Sequence, residues 1–428
     1  LTLGAFERRD DQPVAEDRVR GLRVVIGRDT RISGQMLESA FAAGLASAGA
    51  DVELLGVLPT PAVALHAVRS GSDFAIVISA SHNPAGDNGI KFFDGDGFKL
   101  SDETESAIER QLDSMDETFG RAAGDAVGRI RFCEDARQAY VEAAVATVPG
   151  LELGGMKVVV DAAHGAATGV TAEALRRLGA TVIEVGNQPD GRNINAGVGC
   201  THPDYLEGQV REHGADVGIA HDGDADRVLF VDETGSALDG DELLAIAGRH
   251  MAAEEKLAGS TLVATVMSNF GLETALAEVK CRVERADVGD RYVIEAMRRG
   301  DYALGGEQSG HIIFRDFTTT GDGLIAALQV LAILRESGKR LSVLRTCLCK
   351  LPQAQKAVPV ASKPAIESVP ELCEAIQAAE EELAESGRVF LRYSGTESVL
   401  RILLEGPDAE RLQALCDGLE RTVREAIG

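Results

Sequence analysis

A chain of 428 residues with 45% apolar content is longer than one ordinary core can hold and points to roughly three or four domains. Its 68 acidic against 43 basic residues give a formal net charge of -25, which excludes nucleic acid and anionic membrane surfaces as partners and requires local cations wherever an anionic substrate binds. No apolar run approaches the roughly 18 to 20 residues of a membrane span. No leader pattern opens the chain and the seven cysteines contain no C-x-x-C pair, so the cytoplasm and reduced thiols are expected.

In chain order, Leu22 to Ile26 reads as a buried strand, followed by a helix around Leu37 to Ala48 and a strand within Gly49 to Gly56. Met156 to Asp161, a helix around Thr171 to Leu178 and Gly179 to Gly186 repeat that order. Leu262 to Val266, Leu272 to Val279 and Val283 to Gly289 repeat it less closely. Strand, helix, strand is the recipe for a parallel sheet covered by helices. The tail differs: a helical stretch (Val369 to Glu385), two strands (Val389 to Tyr393, Val399 to Leu404) and an amphipathic helix with Leu412, Leu415, Leu419, Val423 and Ile427 on one face. Leu351 to Pro364 reads as its entry segment. The expected fold is α/β, three tandem modules with mixed sheets plus a C-terminal α+β domain, four domains around a central cleft, divided at 1–150, 151–236, 237–350 and 351–428.

Four loops carry chemistry. The strand Ala75 to Ile78 runs into Ser79-Ala80-Ser81-His82-Asn83-Pro84 and a polar stretch ending at Lys91. Ser81 is the candidate nucleophile. His82, adjacent to it, is expected to diverge and to orient or pack rather than act as its base, and a plain polar turn is the alternative.

Asp222-Gly223-Asp224-Ala225-Asp226-Arg227 places three carboxylates at alternate positions. In an extended loop they converge, and their mutual repulsion calls for a hard divalent cation, Mg2+. The apolar flanks Val217 to Ala220 and Val228 to Val231 hold the loop at a sheet edge. An EF-hand would need Gly where Arg227 stands and helices on both sides. An aspartyl-phosphate hydrolase with Asp222 as nucleophile and a solvated acidic turn remain alternatives at this point.

Glu307 and Ser309, within Leu304 to His311, suit the vicinal hydroxyls or amino group of a sugar; a tight turn before Ile312 to Phe314 is the alternative, and His311 reads as structural. Arg392-Tyr393-Ser394-Gly395-Thr396-Glu397, with Arg401, combines hydroxyls, free N–H groups and guanidinium forks suited to a phosphate dianion.

In this order, the four segments resemble the phosphoserine, metal, sugar and phosphate loops of the α-D-phosphohexomutase superfamily, over nearly the whole chain from about Leu22. Gly306 to His311, with Val288 to Val293 and Thr318 to Gly323, is similar to the glucosamine branch rather than the phosphomannomutase/phosphoglucomutase branch. The resemblance implies that Ser81 is phosphorylated and that its phosphoryl group joins Asp222, Asp224 and Asp226 as ligands of Mg2+. It further implies transfer to the 1-hydroxyl of glucosamine 6-phosphate through a hexosamine 1,6-bisphosphate, which also serves as activator. Arg227 would add positive charge beside the reacting phosphoryl. Lys91 occupies the position of the proton acceptor and donor, with desolvation and nearby cations lowering its pKa. Glu307 and Ser309 would bind sugar hydroxyls, and Arg392, Ser394, Gly395, Thr396 and Arg401 would grip the phosphate that is not reacting. The partners expected are a phosphosugar substrate and a second copy of the chain, with no nucleic acid and no membrane.

Members of the superfamily usually open with a Phe-Gly-Thr-x-Gly-x-Arg-Gly-like segment whose Arg lines the active site. Leu1 to Gly21 contains none and begins with Leu, so a trimmed N-terminus and an intact chain lacking that loop are both open. Ala225 stands where many relatives have Gly, and Ser398 where Pro is commoner. A phosphomannomutase/phosphoglucomutase and a catalytically silent phosphosugar-binding homologue are the rival readings.

Overall fold

Near-continuous apolar runs such as Val24-Val25-Ile26 form strands buried on both faces, the condition of parallel sheets. The computed structural model describes residues 21–113, 122–394 and 397–428. Two units are distinguished, one of Leu1–Met267 with Cys281–Cys347, the other of Ser268–Lys280 with Leu348–Gly428.

In the larger unit, β1 (Arg23–Arg28), β2 (Asp51–Val57), β3 (Phe74–Ile78), β4 (Ile90–Asp94) and β5 (Ile130–Phe132) form a sheet in the order β4-β3-β1-β2-β5. Only β4 runs antiparallel to its neighbour. The accompanying helices are α1 (Gly34–Ser47), α2 (Thr60–Ser70), α3 (Asp102–Asp113) and α4 (Ala136–Ala146). α2 has Pro61 in its first turn and closes on Gly71 at φ 64°, the usual start and stop devices of a helix.

A second sheet has the order β10-β9-β8-β6-β7, from β6 (Lys157–Asp161), β7 (Thr181–Val185), β8 (Val217–His221), β9 (Val228–Val231) and β10 (Ala237–Leu238), with α5 (Val170–Arg177) and α6 (Pro203–His213). After α7 (Gly240–Ala253), a third has the order β12-β11-β13-β14, from β11 (Thr261–Thr265), β12 (Arg282–Ala286), β13 (Leu304–Gly306) and β14 (Ile312–Phe314). α8 (Gly271–Ala277) groups with the smaller unit; α9 (Asp290–Gly300), α10 (Gly323–Ser337) and α11 (Leu341–Leu344) complete the larger one.

One arrangement therefore occurs three times. The trios β3-β1-β2, β8-β6-β7 and β13-β11-β12 are parallel, and each ends in a strand, β4, β9 or β14, paired antiparallel to the first of the trio. The turn that reverses direction is in each case one of the chemical loops: Ser79 to Gly89, Asp222 to Arg227, and Glu307 to His311. The first strand flanking the aspartate loop, β8, lies inside its sheet between β6 and β9, so the loop sits at the strand's end rather than beside a free edge.

In the smaller unit, β15 (Gln353–Pro359), β16 (Arg388–Tyr393) and β17 (Val399–Glu405) form an antiparallel sheet in the order β15-β17-β16. With α12 (Pro370–Leu383) and α13 (Ala409–Ile427) it encloses a core of Val358, Leu372, Leu400, Ile402, Leu404, Leu412, Cys416, Leu419 and Val423. The stretch expected as an entry segment is thus partly strand β15, which pairs with β17 from Gln353 to Pro359. Its period of two was masked because Lys356 stands between the buried Ala354 and Val358; its Nζ reaches Asp417 at 2.7 Å and also Glu420, both on α13. Among the described residues no helix is long and apolar enough to cross a membrane.

α10 buries Leu324, Ile325, Ala327, Leu328 and Leu331 and is capped by Asp322, which accepts from the Ile325 N–H at 2.8 Å. The same carboxylate accepts from the buried Tyr140 hydroxyl of α4 at 2.8 Å. Burial pushes the Asp322 pKa up to about 6 against these bonds, so its ionised form is disfavoured in the fold and stability declines as pH rises from about 4 to about 6. Tyr140→Phe removes a donor to the ionised carboxylate. It is expected to lower the unfolding free energy by about 1–3 kcal/mol at pH 8 and by less at pH 5, as read by urea denaturation.

Candidate active site

The carboxylates of Asp222, Asp224 and Asp226 come within 4.8 Å of one another in the turn from β8 to β9, and all three residues are buried. Ala225, between them, is left-handed at φ 59°; its methyl packs with Ala162 and Ala167, which offsets a strain of order 1 kcal/mol. Gly223 has no room for a side chain, because a Cβ there would lie 2.6 Å from the Ser81 carbonyl oxygen. Gly323, at the start of α10, is equally confined: its N–H donates to the Ala225 carbonyl at 3.0 Å, and a Cβ would lie 2.4 Å from the Arg227 carbonyl oxygen. The positive end of a buried helix thus abuts the acidic turn.

Asp224 Oδ1 and Asp226 Oδ1 are buried without a hydrogen-bond partner. Burial, then the charges of Asp226 and Asp224, push the Asp222 carboxyl well above its usual range. Crowded carboxylates with unused lone pairs fit a hard divalent cation.

Ser81 occupies the left-handed region at φ 49°, and its Oγ donates to Asp222 Oδ2 at 2.5 Å. The loop after β3 and the turn after β8 therefore meet at Ser81 and the acid cluster. His82 Nδ1 lies 3.4 Å from the same Oγ, closer than divergence of neighbours implied but long for a hydrogen bond.

Lys91, on β4, reaches Asp224 Oδ2 at 2.6 Å and Asp226 Oδ2 at 2.9 Å. This corrects the expectation of a readily deprotonated amine. Burial does act to lower its pKa, but the flanking groups are anions rather than cations, and Asp224 and Asp226 hold the ammonium well above its usual range. Arg227 donates its N–H to Asp222 Oδ1 at 3.3 Å, with Nε 3.8 Å from Asp226 Oδ1. His221, fully buried beneath, spans Thr171 Oγ1 (2.9 Å) and the Arg227 carbonyl (3.0 Å); burial pushes its pKa down to about 4 and keeps the ring neutral.

The Glu307 to His311 loop is laced to the same turn. Val228 N–H donates to the Gly310 carbonyl at 3.0 Å, and His311 Nδ1 stands 3.8 Å from Asp226 Oδ1, while its Nε2 accepts from the Gly321 N–H at 3.0 Å. Glu307 is half-buried and accepts from the Gly289 N–H at 3.1 Å; Ser309 is exposed. Close by, Lys91, Lys99, Asp290, Arg291 and Tyr292 line a cavity of about 290 Å³, which places local cations in an acidic chain.

Several holding residues escaped the sequence reading. The buried Arg31 guanidinium donates to the carbonyls of Asn83 (2.7 Å), Asp87 (3.0 Å), Ser81 (3.2 Å) and Pro84, and is fixed by Asp29 at 2.9 Å. Asn195 Nδ2 donates to the Ser81 and Asn83 carbonyls at 2.9 and 3.0 Å. Ser79 Oγ links Asp29 Oδ2 (2.7 Å) to the Ser81 N–H (2.9 Å), and Thr60 at the start of α2 donates to Asp224 through N–H and hydroxyl. The available signal was Arg28-Asp29-Thr30-Arg31 directly after a buried strand, since parallel sheets gather functional groups at the carboxyl ends of their strands.

In the smaller unit, Arg392 on β16 and Arg401 on β17 are direct cross-strand partners and share one face of the sheet. Opposed like charges are unfavourable without an anion to join them. Arg401 has Glu397 at 3.1 Å, and Ser394 is buried, its carbonyl accepting from Lys363 Nζ at 2.6 Å. Gly395 and Thr396 lie outside the described residues.

Four family matches cover most of the chain. Phosphoglucomutase/phosphomannomutase alpha/beta/alpha domain I matches residues 14–119, domain II 138–235 and domain III 239–350; the C-terminal domain of that family matches 356–421. The chain is 49% identical to a phosphoglucosamine mutase of Syntrophotalea carbinolica, over 96% of this chain and 91% of the relative. It is 49% identical to one of Anaeromyxobacter dehalogenans, over 95% and 91%. Its fold is similar to that of a phosphoglucomutase/phosphomannomutase family protein from Burkholderia thailandensis, with a TM-score of 0.78, 24% identity and coverage of 97% of this chain and 95% of that one. It is also similar in fold to the N-acetylphosphoglucosamine mutase of Aspergillus fumigatus, solved with GlcNAc-6P and magnesium, with a TM-score of 0.65, 21% identity and coverage of 86% and 92%.

If Arg31 sets the serine loop, Arg31→Lys, which cannot fork to several carbonyls, is expected to speed amide exchange of residues 79–89 by about tenfold or more, the equivalent of roughly 1.4 kcal/mol of lost local stability. Hydrogen-exchange mass spectrometry checks this. Unchanged protection there would show the clamp to be incidental.

Proposed function

The chain belongs to the phosphoglucomutase/phosphomannomutase family, and from that premise we propose that it is a phosphoglucosamine mutase interconverting glucosamine 6-phosphate and glucosamine 1-phosphate. The observation that carries the chemistry is the Ser81 hydroxyl, 2.5 Å from a carboxylate of the buried triad. The choice of sugar is supported by 49% identity, over nearly the full length, to relatives named for it.

Phosphorylated Ser81 gives its phosphoryl group to the sugar 1-hydroxyl: the Oγ–P bond breaks, a P–O1 bond forms, the hydroxyl proton leaves to a base, and the departing Ser81 Oγ takes up a proton in exchange. The resulting hexosamine 1,6-bisphosphate turns around and returns its 6-phosphoryl to Ser81. Asp222, Asp224, Asp226 and phosphorylated Ser81 would hold Mg2+, which would supply positive charge to offset that of the transferring phosphoryl. Arg227 adds a fixed cation beside it. Lys91 is the proposed proton carrier; its ammonium is held by Asp224 and Asp226, so it must release a proton before it can accept one. Glu307 and Ser309 are assigned to the sugar hydroxyls, and Arg392, Ser394, Gly395, Thr396 and Arg401 to the phosphate that is not reacting. In this reading each of the four parts, 1–150, 151–236, 237–350 and 351–428, supplies one loop. The phosphosugar is the partner, the cytoplasm the location and a homodimer the assembly.

The test is the interconversion itself, with Mg2+ and a trace of bisphosphate, against mannose 1-phosphate and glucose 1-phosphate as competing substrates. Preferred turnover of the glucosamine phosphates is expected; preference for either hexose would move the assignment to the other branch. Asp224→Asn is expected to cut turnover by about 100-fold or more with unchanged circular dichroism. Arg392→Ala is expected to raise KM by roughly 10- to 100-fold with a smaller effect on kcat, the loss of one charge-assisted contact.

A further inference from the structure

Besides the aspartate triad, the described residues contain one other group of metal-ligating side chains with all its donor atoms within 4.8 Å of one another: Glu53, His66 and Cys133. The three come from separate elements. Glu53 is on β2, His66 on α2, and Cys133 directly follows β5. β2 and β5 pair in parallel with Glu53 opposite Arg131, and the Cys133 N–H donates to the Leu54 carbonyl at 2.9 Å, so the thiol leaves the strand on the face that carries Glu53. His66 Nε2 already stands 2.8 Å from Glu53 Oε2. The imidazole is 18% and the carboxylate 37% exposed, and Cys133 is a free, half-buried thiol, so the cluster is preformed yet open to an entering ion.

We propose that Glu53, His66 and Cys133 form a site for a soft divalent cation of the zinc class. One sulfur, one nitrogen and one oxygen donor leave a fourth, solvent-filled position of a tetrahedron; bonds of roughly 2.0 to 2.3 Å place such donors roughly 3.3 to 3.7 Å apart, a span within reach of three donors that now lie within 4.8 Å of one another. Mg2+ and Ca2+ seek all-oxygen shells and are poor occupants, so this site and the triad select different ions. Binding converts the Cys133 thiol to thiolate and releases its proton to solvent. The bound ion ties β5, the last strand of its sheet and exposed along its length, to α2. α2 begins at Thr60, which holds Asp224, and His66 stands less than two helical turns further along it, so the staple lies near the acidic turn without sharing a ligand with it.

The test uses the whole protein with excess Mg2+ to occupy hard-ligand sites and a phosphine reductant to keep thiols free. Co2+ is titrated in, and the near-ultraviolet thiolate-to-cobalt charge-transfer band is recorded, a signal the aspartates cannot produce. The band is expected to saturate at one equivalent and to be bleached by Zn2+. Cys133→Ser is expected to abolish it, His66→Ala and Glu53→Gln each to weaken Co2+ binding by roughly tenfold or more, and Asp224→Asn to leave it unchanged. Absence of the band, its survival in Cys133→Ser, or its loss in Asp224→Asn would each overturn the assignment. Circular dichroism of each variant separates lost ligation from lost fold.

Discussion

Three like charges buried in one turn are the constraint around which the larger unit is organised. Asp222, Asp224 and Asp226 would repel and lose hydration together, and water does not make up for it because the residues are almost wholly enclosed. What compensates comes from three sheets. Lys91 arrives from β4 of the first, Arg227 from the turn itself, and His311 from the third, while the N-termini of α2 and α10 direct N–H groups at the loop. These groups are the means by which a site with unused carboxylate lone pairs is held open inside a folded protein.

The threefold recurrence of one strand order explains why such unlike loops assemble. In each sheet a parallel strand at the flank of the central pair turns back into an antiparallel partner, and the turn falls at the carboxyl end of the parallel strands. The Ser81 loop, the aspartate turn and the Glu307 to His311 loop are therefore equivalent positions of a repeated scaffold, filled with different residues. Loops anchored at both ends by buried strands are firm supports, which suits chemistry that depends on positioning. At Gly223 and Gly310, within these turns, and at Gly323 beside them, backbone from another element occupies the space a Cβ would take.

Much of this was legible before any coordinates. Alternate carboxylates announced their own convergence, since side chains two apart in an extended segment share a side. The strand-helix-strand repeat was readable because buried parallel strands are apolar without alternation, as in Lys157–Asp161 and Thr261–Thr265. β15 was not, because a lysine sits among its inward positions and is satisfied only by acids on α13, sixty-odd residues away. Asn195 was not, because it grips backbone carbonyls, which every residue has and no side-chain pattern marks; Arg31 grips carbonyls too and was marked only by its place after a buried strand. Lys91 was identified by position, but its charge state depends on whether anions or cations surround it, and those neighbours lie 133 and 135 residues away.

By itself, then, the amino-acid sequence determined the local chemistry: which loops carry carboxylates, hydroxyls and guanidinium groups, which runs are strands, and in what order they follow. Periodicity and spacing are short-range properties and survive in one dimension. The tertiary structure alone decided which of those groups meet. It put Ser81 on Asp222, paired Lys91 with two aspartates, set Arg392 opposite Arg401, and brought Glu53, His66 and Cys133 together from three elements. Burial and electrostatic compensation are sums over neighbours in space, and the chain reveals those neighbours only when it is folded.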